Sequence, residues 1–294
     1  MQVLNDVAEV FCNRAGKGEH KMGIVFACIA PHGDEIIPQL AGDKLEVFNK
    51  TKQGMEKIAN LMKKQEIGTI VIATPHNLRL KGNIGVITAE FTEGSLQTDS
   101  ASVKIRFKCN RSLAEEILRR AKKYKLPVMG VNYGTDEGSS SCMPMDWGTL
   151  IPLWFFGAQV KRPRVVMVTP SREIPMEKLV RFGNLVAQAA KKTGEKVAFV
   201  ASADQAHTHD KKGPYGFHQA SVKFDKLVKE AVEGNNLKTL LNVEKQLIEN
   251  AKPDSLWQIA ILIGVLEEVP MKGKLISYQA PTYFGMLCAA YMPT

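Results

Sequence analysis

Four of the six histidines in this 294-residue chain closely follow short apolar segments, where imidazoles could bind a metal ion or transfer protons. Two of them share one local context, because His32 and His76 each come directly after a proline at the end of such a segment. A single histidine in this position is usually a capping or core residue, but the repeated pattern favours a common task. Proline restricts the backbone just before each histidine and so helps to aim the side chain. We therefore predict a site for one metal ion, with His32 and His76 as two of its ligands.

The apolar segments themselves have the composition of buried strands. Each is short, rich in β-branched residues and continuously apolar, as in parallel strands that are covered on both faces. The segments are residues 23–30, 69–73, 164–169 and 196–201. Helical patterns follow at residues 53–66, 112–124, 176–193 and 219–234. This alternation predicts an α/β fold with a mostly parallel, doubly wound sheet, in which ligands bind beyond the carboxyl ends of the strands.

Two further pairs of segments predict antiparallel additions to this sheet. Residues 84–92 and 101–108 alternate in polarity around a Thr-Glu-Gly-Ser turn and are expected to extend one edge. Residues 274–278 and 283–291 indicate a second strand pair at the end of the chain. No linker or repeat divides the sequence, so we expect one domain over residues 23–294, preceded by a leader segment at residues 1–22.

The composition is that of an ordinary globular protein, with 45% hydrophobic and 23% charged residues. No stretch approaches the roughly 20 apolar residues needed to span a membrane, and the first residues lack the features of a secretory signal. The five cysteines are odd in number and never form a C-x-x-C pair, which favours the cytoplasm over a disulfide framework. The net charge of +9 comes without a nucleic-acid-binding motif, so we expect neither nucleic acid nor a membrane as a partner.

Six motifs occur along the chain in an order that resembles one known superfamily. They are APHGDEIIPQL, TPHN, MDWGTLIPLWF, ASADQAH, GPYGF and DSLWQIAILIGVL. Together they are similar to the class III extradiol ring-cleavage dioxygenases of the LigB type, a superfamily that also includes the Memo-like proteins. The resemblance runs from about residue 23 to the C-terminus. It implies a LigB-like fold, a small aromatic substrate, O2 as co-substrate and a homo-oligomer such as a dimer.

The resemblance also implies a ligand set for the metal. His32 and His76 match the two histidines of a mononuclear iron(II) site. The third family ligand is a carboxylate near the start of a late helix, replaced by cysteine in Memo-like members, and Asp254 occupies that place. Asp254 could equally be the N-cap of that helix, and Glu267 and Glu268 lie beyond the same helix. Two histidines and one carboxylate would hold Fe(II) on one face and leave positions open for substrate and oxygen.

The ring-cleavage reaction also needs an acid/base, and His207 matches the catalytic histidine of the family. An ordinary histidine pKa near 6.5 suits both the acceptance and the return of a proton. Asp204 could orient His207, while His209 is a rival for the same role. Tyr215, within Gly-Pro-Tyr-Gly, could line the pocket or simply belong to a turn.

The chain departs from the family pattern at one position. The dioxygenases commonly carry a second active-site histidine in an Asp-His-Gly segment, and this chain has Trp147 between Asp146 and Gly148. Tryptophan cannot accept a proton and donates only through its indole nitrogen. Trp147 could therefore leave His207 to perform both proton transfers, reshape the pocket for a bulkier or non-catecholic substrate, or mark a relative that has lost ring cleavage. Asp34 and Glu35 follow His32 closely and could support the ligands, or could be the acids of a helix start.

Three hypotheses follow from these residues. The leading one is an Fe(II)-dependent extradiol-type dioxygenase that opens the ring of a small catechol- or aminophenol-like aromatic with O2. The second is a Memo-like metal-binding protein without ring-cleavage activity, for which Trp147 is the best support. The third is a zinc-dependent hydrolase, because the same ligands bind zinc and could activate water.

Overall fold

Eleven strands and eight α-helices make up residues 23–159 and 163–293, the part of the chain described by this computed structural model. The strands are β1 Gly23–Ala30, β2 Thr69–Ala73, β3 Ile84–Ile87, β4 Phe91–Gln97, β5 Ser102–Lys108, β6 Val128–Val131, β7 Cys142–Pro144, β8 Arg164–Pro170, β9 Lys196–Ser202, β10 Met271–Gln279 and β11 Met286–Pro293. The helices are α1 Pro38–Ala41, α2 Leu45–Gln65, α3 Arg111–Lys123, α4 Trp147–Gln159, α5 Met176–Thr193, α6 Ala220–Glu233, α7 Lys245–Ala251 and α8 Leu256–Glu268. The expected leader at residues 1–22 lies outside the described residues.

The main sheet has eight strands in the order β10-β11-β1-β9-β2-β8-β3-β6. Its centre is the parallel set β1, β9, β2 and β8, which are the four apolar segments that the sequence predicts as buried strands. Almost every residue in these strands is buried, because helices cover both faces. The α/β fold class with a mostly parallel sheet and antiparallel edges is therefore confirmed.

Antiparallel strands extend the parallel centre on both sides. The predicted C-terminal strand pair is present, since β11 runs antiparallel to β1 and β10 runs antiparallel to β11. On the other side, β3 pairs antiparallel with β8 and parallel with β6.

The predicted hairpin at residues 84–108 is wrong in its pairing. Residues 84–92 do not form one strand, because β3 belongs to the main sheet while β4 pairs with β5 and β7 in a separate three-stranded sheet. The turn between β4 and β5 is at residues 98–101, where the backbone N–H of Thr98 donates to the carbonyl of Ala101. Gly94 lies within β4 and not in the turn. Glycine suits this place because a β-carbon there would collide with the side chain of Met145.

Two apolar layers cover the main sheet. One contains α3, α5, α6 and α8, and the other contains α2, α4 and the small sheet. Helices α5 and α8 touch backbone to backbone, since a β-carbon on Gly264 would lie only 1.9 Å from the carbonyl oxygen of Val180. Asp254 lies two residues before the first residue of α8, so the position of this helix bears on where Asp254 lies at the sheet edge.

No helix among the described residues is long and apolar enough to cross a membrane.

Candidate metal centre

Three side chains from distant parts of the sequence meet at the carboxyl edge of the parallel strands. His32 follows β1, His76 follows β2 and Asp254 precedes α8. The Nε2 atoms of His32 and His76 are 3.0 Å apart. One carboxylate oxygen of Asp254, Oδ2, is 3.1 Å from Nε2 of His76 and 3.3 Å from Nε2 of His32. One ligand atom from each residue therefore lies within 4.8 Å of the other two, which is close enough to share one ion.

The hydrogen bonds around these atoms leave lone pairs directed at the common point. Ser202 Oγ donates to the carbonyl of Gly148, so it accepts from Nδ1–H of His32 at 2.9 Å. Because Nδ1 carries this proton, Nε2 of His32 is the nitrogen that can bind a metal ion once its own proton is displaced. Asp254 Oδ1 accepts from the backbone N–H of Asp204 at 3.0 Å, so Oδ2 stays available. Two imidazole nitrogens and one carboxylate oxygen suit Fe(II) or Zn²⁺, so the residues present fit a divalent transition metal.

The electrostatics of the cluster favour a cation at the same point. His32 and Asp254 are both almost completely buried. Burial lowers the pKa of His32, but the carboxylates of Asp204 and Asp254 outweigh it and raise the pKa to about 9. Burial likewise raises the pKa of Asp254, yet His32 and His76 bring it well below the usual range. A positive charge between the buried carboxylates and the Nε2 atoms of the histidines stabilises this cluster. Either a proton or a metal ion can supply that charge.

The alternative reading of Asp254 as a helix cap does not match its contacts. Ser255 occupies the N-cap position of α8, and no side chain makes a capping hydrogen bond there. Glu267 and Glu268 lie at the opposite end of α8, where Glu267 pairs with Lys238 and Glu268 accepts from Gln188. Among the acids at the two ends of this helix, Asp254 is therefore the one that faces the histidines.

A cavity of about 410 Å³ opens directly over the two histidines. Its walls are formed by His32, Gly33, Asp34, Glu35, His76, Leu96, Trp147, Asp204, His207, Tyr215, Tyr283 and Phe284. The cavity thus brings together the residues that the sequence nominates for metal binding, acid/base chemistry and substrate contact, apart from His209 and Asp254, which do not line it. Its volume falls within the range of small-molecule sites.

His207 lies at the side of this cavity, close to the candidate ligands. Its Nε2 is 3.9 Å from Oδ2 of Asp254, and its ring stacks on Phe284 with the centroids 5.7 Å apart. Burial lowers the pKa of His207, and the nearby Asp254 opposes part of this effect. Its Nδ1 has no hydrogen-bond partner among the described residues. A neutral, partly open imidazole in this place can accept a proton from a molecule bound over the histidines.

Two of the expected acid/base contacts differ in the structure. Asp204 does not orient His207, because its Oδ1 accepts from the backbone N–H of His32 at 3.1 Å and its Oδ2 lies 3.3 Å from Nε2 of the same residue. His209 is also turned away from the cavity, since its Nε2 hydrogen-bonds to Asp225 at 2.8 Å.

Trp147 covers His76. The indole stacks on the imidazole with a centroid separation of 4.2 Å and an interplanar angle of 26°, while nearly half of the tryptophan stays exposed. Trp147 is the first residue of α4, and Asp146 just before it accepts hydrogen bonds from Thr74 Oγ1 at 2.6 Å and from the N–H of Thr149 at 2.9 Å. These bonds fix the start of α4 against the end of β2, so the tryptophan forms a wall of the cavity.

The structure adds two residues that the sequence reasoning missed. Ser202, the last residue of β9, sets the tautomer of His32. Asp225 is fully buried on α6 and accepts from Ala206 N–H at 2.8 Å, from His209 and from the hydroxyl of Tyr278 at 2.7 Å. These bonds tie the segment that carries His207 to α6 and β10. The sequence does indicate a buried role for Asp225, because this acid lies on the apolar face of an amphipathic helix.

Comparisons with known proteins bear on the family and the fold of this chain. The family model described as the catalytic LigB subunit of aromatic ring-opening dioxygenase matches residues 26–287. Protein CA_C1420 of Clostridium acetobutylicum is 29% identical over 254 residues, which are 85% of this chain and 54% of that protein. The chain thus spans about half the length of this curated relative. The crystal structure of the uncharacterized protein JW3007 from Escherichia coli K12 has the same fold, with a TM-score of 0.57, 14% identity and coverage of 90% of this chain and 99% of that one.

Proposed function

Because this chain belongs to the LigB family of aromatic ring-opening dioxygenase catalytic subunits, we propose that it is an Fe(II)-dependent extradiol dioxygenase for a small catechol- or aminophenol-like aromatic. The observation that carries this proposal is the convergence of His32, His76 and Asp254 beneath a cavity that also contains His207. Family membership supports a metal-dependent oxygenase in general terms. The choice of iron, the ring-cleavage reaction and the aromatic substrate are the further steps that we propose.

Each part of the cavity has a task in this proposal. When bound, Fe(II) supplies a chelation point for two adjacent substrate oxygens and a route for electrons to O2. Trp147 and Phe284 both line the cavity with flat apolar rings, which suit an aromatic substrate. His207 is kept neutral by burial, so it can take a hydroxyl proton from the substrate and return it to the product.

The direct test is oxygen uptake. The protein is reconstituted anaerobically with Fe(II), mixed with a panel of catechols and aminophenols, and followed with an oxygen electrode and by the absorbance of the ring-opened product. We expect uptake with at least one compound and none from the His76→Ala variant. Full iron loading without uptake from any compound would contradict the dioxygenase proposal.

One observation favours a second candidate, a Memo-like metal-binding protein without ring cleavage. Trp147 stands where the dioxygenases commonly have a second histidine, and its indole stacks directly on His76. The stacked ring takes up space beside the metal position and provides no proton acceptor. Under this alternative, the wild-type protein binds iron or zinc without oxygen uptake. Near-stoichiometric zinc in protein purified without added metal, together with turnover of esters or amides, would favour a zinc hydrolase over both. The expected dimer stays a prediction.

A further inference from the structure

An aromatic diol that chelates a metal ion through both oxygens loses a proton from each hydroxyl group. The ring-opened product contains all the hydrogen of the diol, so both protons must be accepted and later returned. His207 accounts for one of them, because a neutral imidazole has a single nitrogen that can take a proton. A second acceptor is needed if the other proton is also to stay in the cavity. This requirement rests on the proposed function, because it concerns the diol that the cavity is proposed to bind.

Most polar residues of the cavity are unsuited to this second task. His32 and His76 are candidate ligands, and Asp204 is held by its contacts to His32. The indole and phenol rings in the walls offer no basic group. The acids that remain are Asp34 and Glu35, both from the 3₁₀ turn that follows His32. Of these two, Glu35 is partly buried, whereas Asp34 is exposed.

Glu35 lies near the aromatic ring that packs on His207. A β-carbon on Gly33 would lie 2.9 Å from Oε2 of Glu35 and 2.9 Å from Cζ of Phe284, so the carboxylate and the phenyl ring are neighbours. The ring of Phe284 in turn stacks on the imidazole of His207. A carboxylate and an imidazole therefore lie close to the same phenyl ring, in the wall of one cavity.

The surroundings of Glu35 increase its affinity for a proton. Burial and the hydrogen-bonded carboxyl of Asp34 raise the pKa of Glu35 to about 7, although its own backbone hydrogen bond and Lys44 act in the opposite direction. Asp204 and Tyr283 are further titratable groups close enough to interact with it. None of the twelve residues that line the cavity is a lysine or an arginine, so no cation in these walls competes for the carboxylate.

We propose that Glu35 is a second acid/base residue of this site and accepts the hydroxyl proton that His207 does not take. The carboxylate forms a new O–H bond as the O–H bond of the substrate breaks, and the electron pair of the broken bond stays on the substrate oxygen. Each of the two residues later returns its proton to the product, so the protein ends in its starting state. In the competing arrangement His207 works alone and must release the first proton to solvent before it accepts the second.

Counting protons on zinc-loaded protein tests this assignment without turnover. Binding of 4-methylcatechol is measured at about pH 8, where a carboxyl group with a pKa of about 7 is mostly ionised. The ultraviolet difference spectrum gives the number of protons that the diol loses, and calorimetry in buffers of different ionisation enthalpy gives the number that reach the solvent. The difference between the two is the number of protons that the protein keeps. We expect Glu35→Gln to keep about one proton fewer than wild type, because an amide cannot take up a proton.

Further variants separate this role from general damage. His207→Gln should also keep about one proton fewer than wild type, and the double variant about two fewer. Glu137→Gln, at an exposed glutamate in the loop before β7, should keep the same number as wild type. In iron-loaded protein, Glu35→Gln should lower turnover of an accepted catechol by about 100-fold or more.

Two results would overturn the inference, namely an unchanged proton count in Glu35→Gln or no binding of the diol to the zinc-loaded protein. Failure of the dioxygenase proposal is a different result. In that case the proton counts follow the expected pattern, while the iron-loaded protein takes up no oxygen.

Discussion

The carboxylate of Asp254 lies 3.1 Å from Nε2 of His76, although 178 residues separate the two in the sequence. The contact exists because α8 begins beside the carboxyl end of β2. Among the residues that the structure describes, Asp254 is the carboxylate whose Oδ2 lies close to Nε2 of both histidines. Asparagine has nearly the same size as aspartate and lacks its charge, so it can replace Asp254 without crowding the histidines.

Asp254→Asn should weaken the binding of Zn²⁺ or Fe²⁺ by more than about 100-fold, since even the partners that merely orient ligands contribute 10- to 100-fold. The asparagine oxygen can still accept from Asp204 N–H, so the fold should be retained. Metal affinity is measured by competition with a chromophoric chelator. His218→Gln provides the control at an exposed histidine outside the cavity, and equal losses in both variants would exclude Asp254 as a ligand.

Metal affinity should depend on pH in a defined direction. The carboxylates of Asp204 and Asp254 outweigh the effect of burial and raise the pKa of His32 to about 9. In the metal-free protein this imidazole is therefore positively charged at pH 7, with a proton on each nitrogen. A metal ion must displace the proton on Nε2, so the affinity should rise about tenfold per pH unit between pH 7 and pH 9 and then level off. Calorimetry in two buffers of different ionisation enthalpy should detect the released proton. An affinity that stays constant from pH 7 to pH 9 would contradict this assignment.

His207→Gln should separate proton transfer from metal binding. Nε2 of His207 is 3.9 Å from Asp254 and does not belong to the group of three converging ligand atoms. Metal affinity should therefore stay within about twofold, while turnover of an accepted catechol should fall by about 100- to 10,000-fold. His209→Gln is the matched comparison, because its amide can still donate to Asp225. If the two variants lose turnover equally, His207 has no special role.

The sequence predicted most of what positions the site. Strand β1 was recognisable because it is covered on both faces and reads as a continuous apolar run, and the proline after it marked His32 as the end of a strand. Gly94 was misleading, because glycine marks a close approach of Met145 as readily as a turn. The stacking of Trp147 on His76 depends on how α4 meets the end of β2, which no local pattern encodes.

Asp225→Asn should destabilise the protein by about 3 kcal/mol, because a buried carboxylate accepts from three donors and an amide can satisfy only part of them. The free energy of unfolding is measured in urea. Asp136→Asn, at an exposed loop position, should change it by less than about 0.5 kcal/mol. Tyr278→Phe removes a single donor to Asp225 and should cost only about 1 kcal/mol. A neutral result for Asp225→Asn would show that this network does not hold the His207 segment in place.

Gly264→Ala tests whether the packing of two helices determines the geometry of the candidate metal centre. A β-carbon at position 264 would lie 1.9 Å from the carbonyl oxygen of Val180, which neither backbone can accommodate without moving α8 away from α5. We expect a loss of about 3 kcal/mol in the free energy of unfolding. Gly68→Ala is the control, because its β-carbon would meet no atom closer than 3.9 Å. Since Asp254 lies two residues before the first residue of α8, the displacement should also weaken metal binding in protein that is still folded. Destabilisation with unchanged metal affinity would mean that Asp254 is held by its bond to Asp204 and not by the position of the helix.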